Sequence, residues 1–181
     1  MIEKHSVSES DKILASAIKR YQDGDIEAAI QELREAAGND PLNLRIPLTL
    51  AKLLMRHGQF EHAEEVLLAL PEQARTDNDI THLLAHLGLI RAAETAPESN
   101  ELFKTLEADP GAHEARYQLA ALLLLNDETE AALEQLLELL RRSHDFRNGV
   151  AQQGMSAILN MLGPDDELAR DYRKQMLSLI H

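Results

Sequence analysis

The 181-residue sequence contains no cysteine and no tryptophan. Without thiols it cannot form a disulfide, run thiol redox chemistry or build a thiolate metal site. Phenylalanine, tyrosine and valine each occur three times. Aromatic and β-branched residues are the ones that fit a pleated sheet, so this poverty nearly excludes a β-sandwich or barrel. Basic residues are scarce as well: 18 Lys and Arg stand against 31 Asp and Glu, a net charge of −13. Phosphate binding needs a Lys/Arg surface, so neither nucleic acid nor an anionic membrane is an expected partner. The longest apolar run, Leu119 to Leu125, has seven residues, where a membrane span needs roughly 20. The opening Met1-Ile2-Glu3-Lys4-His5 is charged and lacks the apolar centre of a signal peptide. The expected location is cytoplasmic.

What is present in excess is leucine, followed by alanine. These two lose least on entering a helix. The expected class is all-α, and 44% apolar residues is enough for a packed core.

The chain repeats itself. Gly24-Asp25-Ile26-Glu27-Ala28-Ala29 returns as Gly58-Gln59-Phe60-Glu61-His62-Ala63, and a third copy begins at Asn126-Asp127-Glu128. The period is about 34 residues, room for two short helices and their turns. Each unit reads as such a pair. The first helix carries a small residue at Ala17, Ala51 and Ala120, the second at Ala29, Ala63 and Ala132. Small side chains let helix backbones cross closely, and Leu33, Leu67 and Leu136 fill the groove one turn on. Gly24 and Gly58 end the first helix of their units. Asp40-Pro41 and Asp109-Pro110 end the second, because proline suits a first turn and not a helix interior.

This pattern resembles the tetratricopeptide repeat (TPR). The expected architecture is an all-α solenoid of TPR-type helical hairpins: a lead at 1–7, units at 8–41, 42–75, 76–110 and 111–144, and two capping helices over 145–181. The third unit is degenerate, with His86 and Glu98 at the registers where small residues are expected. In the tail, helices are expected at about 148–162 and 165–179, separated by Gly163-Pro164-Asp165-Asp166.

The tail carries a narrower resemblance. The run Glu130 to Arg142, then Asp145-Phe146-Arg147-Asn148-Gly149, Leu162-Gly163-Pro164-Asp165-Asp166 and Tyr172-Arg173-Lys174, is similar to the C-terminal part of the bacterial thioredoxin–TPR fusion proteins, the YbbN/CnoX (chaperedoxin) family. No thioredoxin-like domain or cysteine motif accompanies it, so the sequence reads as the C-terminal region of a longer protein. The resemblance implies a co-chaperone that holds unfolded clients and docks to a GroEL-type chaperonin through its last helix. No redox role falls on any residue present.

Nothing in the sequence forms a catalytic pattern: there is no phosphate loop, nucleophile elbow or kinase motif. His82 and His86 share a helix face at i, i+4, and His57 and His62 flank a turn. With no third ligand in pattern they read as ordinary helix histidines. Glu27, Glu32, Glu35, Glu61, Glu64 and Glu65 read as solvated helix faces. The chain is expected to be no enzyme and to need no cofactor or metal.

The informative surface is the inner groove of the repeats, lined by the first helix of each unit. The client-binding positions expected there are Leu14, Ile18, Tyr21, Leu48, Met55, Leu83, Leu87, Ile90, Tyr117 and Leu124, joined by Arg45 and Lys52. A large exposed apolar patch marks a binding site. Unfolded or extended polypeptides are the expected ligands. On the last helix, Leu168, Tyr172, Met176 and Leu179 form a packing face. Arg170, Arg173, Lys174, Leu177 and His181 lie off it and are the expected docking strip for a partner. The competing reading is a structural scaffold that positions a redox domain on a single fixed partner.

Overall fold

The structure is a computed structural model that describes residues 9–39 and 43–180. Among the described residues there are ten α-helices, two short 3₁₀ turns and no strand. The Asp40-Pro41 stop and His181 lie outside the described residues. The chain divides into two compact units, residues 1–80 and 81–181.

The first unit holds α1 (Glu9–Gln22), α2 (Ile26–Asn39), α3 (Arg45–Arg56) and α4 (Phe60–Leu68). α1 packs on α2, α2 on α3 and α3 on α4. The small residues Ala17, Ala29, Ala51 and Ala63 are buried, as are Leu33 and Leu67. Both hairpins turn through a left-handed glycine, Gly24 at φ 86° and Gly58 at φ 71°, a conformation glycine adopts without steric cost.

The second unit holds α5 (Asn78–Glu94), whose first turn precedes the division, then α6 (Ser99–Ala108), α7 (His113–Leu125), α8 (Thr129–Arg142), α9 (Val150–Leu162) and α10 (Glu167–Ile180). α6 packs on α7, α7 on α8, α8 on α9, and α10 on both α8 and α9. Ala120, Ala132 and Leu136 are fully buried. Where the first unit turns through glycine, Asp127 takes the left-handed conformation at φ 62°, one of the few side chains that tolerates it.

The degenerate stretch has a physical explanation. Ala92 stands one period after Gly58, so no glycine interrupts α5, and the helix continues to Glu94. The small residue one period after Ala51 is Ala85, which is buried, and not the neighbouring His86. In α6 the fourth position is Leu102, where α2, α4 and α8 have Ala29, Ala63 and Ala132. Leu102 packs with Ala115, Leu119, Leu123 and Ala132.

The tail helices start later than the spacing predicts. Arg147, Asn148 and Gly149 are left-handed at φ 46°, 58° and 80°, which no right-handed helix can include, so α9 starts at Val150. α10 starts at Glu167, where the Asp166 carboxylate accepts the Ala169 N–H at 2.8 Å. A side-chain acceptor at this place satisfies an otherwise orphaned first-turn donor.

Candidate protein-binding surface

In the first unit the expected groove positions fall on α1 and α3. Ile18 is 50% exposed, and Tyr21, Leu48 and Met55 are half-buried. Leu14 is buried, which corrects its assignment to the groove. It lies one helical turn before Ala17, on the face that α1 turns towards α2.

α3 has the sequence RIPLTLAKLLMR and carries no acidic residue. Arg45, Lys52 and Arg56 recur at i, i+7 and i+11, so they form one row beside the half-buried Leu48 and Met55. All three are exposed. Arg45 pairs with Asp11 of α1. Near the other end of the helix, the Arg56 guanidinium lies over the Tyr21 ring at 5.5 Å, and His57 meets the ring edge-on at 6.0 Å. α1 and α3 are thus tied through Arg45 and Arg56 at the two ends of α3, with Leu48, Lys52 and Met55 between the ties. The cation row was readable from spacing; the stacking on Tyr21 was not, because it depends on how close two helices come.

In the second unit the stripe is largely taken up by the core. Leu83, Ile90 and Leu124 are half-buried, but Leu87 is buried and Tyr117 is only 2% exposed. These two are corrected from groove to core. α5 is apolar on nearly every side between Ile80 and Ala93, and such a helix is buried on several faces. Tyr117 and Ala121 share a cluster with Ala151 and Met155 of α9, so the tail supplies cover that the repeat pattern alone does not show. The Tyr117 hydroxyl has no hydrogen-bond partner, and burial pushes the phenol up to about 12. A Cβ added at Gly88 would stand 3.3 Å from that hydroxyl, so the glycine makes room for it.

The histidines have structural surroundings. His82 Nδ1 accepts a hydrogen bond from Asn160 of α9 at 2.8 Å. His86 is half-buried, and desolvation holds its imidazole below the ordinary range. No group of three candidate metal ligands occurs among the described residues.

On α10, Tyr172 and Met176 are buried, and Leu168 and Leu179 pack partly buried against the same core. Arg170 and Lys174 are exposed and Leu177 is 50% exposed. Arg170 reaches Glu167 at 3.9 Å. Arg173 departs from the expected outward strip. It is half-buried and donates to the Leu159 carbonyl at 2.8 Å. The same carbonyl accepts the Gly163 N–H at 3.3 Å, so Arg173 adds a second donor to it and ties α10 to the last turn of α9.

Residues 20–87 match one tetratricopeptide-repeat model, and residues 92–181 match a second. The fold is a tetratricopeptide-repeat fold. TPR repeats are in general non-catalytic protein-interaction modules, and no enzyme family is indicated. No curated protein matches the chain. Among solved structures, a domain of the Vibrio parahaemolyticus protein VP0806, itself of unknown function, is 27% identical over 94% of this chain and 99% of that one, with a TM-score of 0.42. A structure of MamA is 20% identical over 91% and 94%, at a TM-score of 0.42. A further structure described as MamA MSR-1 C2 is 16% identical over 93% and 94%, at 0.36. No helix among the described residues is long and apolar enough to cross a membrane.

Proposed function

We propose that this TPR chain is the client-binding region of a cytoplasmic, thioredoxin-linked co-chaperone of the YbbN/CnoX kind, and that it passes unfolded polypeptides to a GroEL-type chaperonin. In this reading it carries four repeats, 8–41, 42–75, 76–110 and 111–144, and residues 145–181 close the last. The observation that carries the proposal is the strip on α1 and α3: Ile18, Leu48 and Met55 beside Arg45, Lys52 and Arg56. An unfolded chain offers apolar side chains and unsatisfied backbone carbonyls together, and a strip of apolar groups edged by donors suits both without demanding a sequence. The acidic remainder keeps a loaded complex soluble. The resemblance of the tail supplies the chaperonin; Arg170, Lys174 and Leu177 are the docking residues that this reading retains.

The test is light scattering from a chemically denatured substrate diluted into the full chain. An Ile18→Glu, Leu48→Glu variant is expected to keep its helical circular dichroism and lose most of its suppression of aggregation. Both positions face water at least in part, so the substitutions avoid the unfolding that a charge at buried Leu87 would cause. Unchanged suppression would remove the strip from client binding. Capture of one partner at fixed stoichiometry would favour the scaffold reading.

A further inference from the structure

A second surface lies on the other side of the packing that buries Leu119. α6, α7 and α8 form a shallow, open pocket of about 220 Å³ lined by Phe103, Leu106, Glu107, Arg116, Leu119 and Gln135. All six belong to the second unit. Arg116 is only 8% exposed and is the one buried charged side chain among the described residues. A guanidinium has five N–H donors and no acceptor. Here Nη1 donates to the Gln135 side-chain oxygen at 2.9 Å and Nη2 to the Pro110 carbonyl at 3.1 Å; Nε has no partner but is shut off from the surface, so a ligand would meet the second N–H of Nη1 or Nη2. Its protein partners are therefore two neutral oxygens. Glu138, the acid whose charge reaches it, is already engaged by Arg142 at 2.6 Å and Arg141 at 3.6 Å. A buried charge is costly unless paired, and this one lacks a carboxylate in a chain with 31 of them.

From this geometry we infer that the α6–α7–α8 pocket receives an acidic side chain, with an adjoining apolar residue, from an extended segment of a partner protein. The carboxylate pairs with Arg116, and the neighbouring residue packs on Phe103. Charge complementarity selects the acid. The occupant is a polypeptide because the apolar wall does not end inside the pocket: it continues onto the rim, where Phe103 is 46% exposed. The volume admits about one side chain. Glu107 at the rim is exposed and disfavours a segment carrying several acids. The site is separate from the α1–α3 strip, and the inference does not rest on the client-binding reading.

The experiment follows the full chain by nuclear magnetic resonance, observing the Arg116 Nε–H and the backbone amides. The probes are acetyl-Ala-Leu-Glu-Phe-Ala-amide, the same peptide with glutamine for glutamate, and propionate alone. The glutamate peptide is expected to shift the Arg116, Phe103 and Leu119 signals saturably. The glutamine peptide should bind about tenfold more weakly, the size of a hydrogen-bonded charge contact. Arg116→Met should abolish the difference between the peptides, and Phe103→Ser should weaken both alike. Equal titration by the two peptides overturns the inference. So does propionate binding as tightly as the glutamate peptide, since the site then takes a free acid. So do shifts confined to α1 and α3. If Arg116→Met melts early, the comparison of peptides on the parent chain and on Phe103→Ser decides alone.

Discussion

At the scale of single residues, the two small-residue registers control the packing. Ala29 and Ala63 are fully buried, each at the fourth position of its helix, and each is followed one turn later by a buried leucine, Leu33 or Leu67. Interiors this close-packed have no slack for three added carbons. Ala29→Leu and Ala63→Leu are each expected to cost about 1–3 kcal/mol, measured as a fall in the denaturant midpoint at unchanged slope. Variants that melt with the parent would show that these alanines do not sit at close crossings. Leu102 is the natural counter-example. It occupies the same position of α6, and it is accommodated in a cluster with Ala115 and Ala132, where small partners leave it room.

At the scale of the element, α10 shows how one helix serves two surfaces. Tyr172 and Met176 hold it to α8 and α9, and Arg173 crosses to the end of α9, so the helix is anchored along its length. Arg170, Lys174 and Leu177 recur at i, i+4 and i+7 on the free side. Residues 145–181 carry 4 basic and 5 acidic side chains, net −1, out of a chain total of −13. This local relief of negative charge favours docking to an acidic or apolar surface. An Arg170→Glu, Lys174→Glu, Leu177→Ser variant is expected to keep its melting temperature within a few degrees and to lose co-sedimentation with a GroEL-type chaperonin. Arg173 is left intact in it, because changing that residue removes a hydrogen bond within the fold and confuses the two effects. Retained co-sedimentation by the folded variant would take this side of α10 out of the interface.

At the scale of the whole molecule, two buried phenols set an alkaline edge to stability. Burial pushes both Tyr117 and Tyr172 up to about 12, from an ordinary value of 10.0. Below pH 10 both are protonated whether the chain is folded or not, and their contribution is fully present. Between pH 10 and about 12 the unfolded chain ionises while the folded one resists, so stability falls as pH climbs through that window. A Tyr117→Phe, Tyr172→Phe variant should lose less of its denaturant midpoint across the same window than the parent; equal losses would mean the phenols are not protected. The amino-acid sequence by itself determined the all-α class, the period of the helix pairs and the alanine crossings, because these follow from helix propensity and from steric rules that act within one or two turns. It also foretold the buried face of α10, since i, i+4 spacing is local. Only the tertiary structure decided that Leu14, Leu87 and Tyr117 belong to the core, that Arg173 reaches the last turn of α9, and that Arg116 stands buried with no acid bonded to it. Each of these depends on which distant helix arrives to exclude water, and no periodicity within a single helix records that.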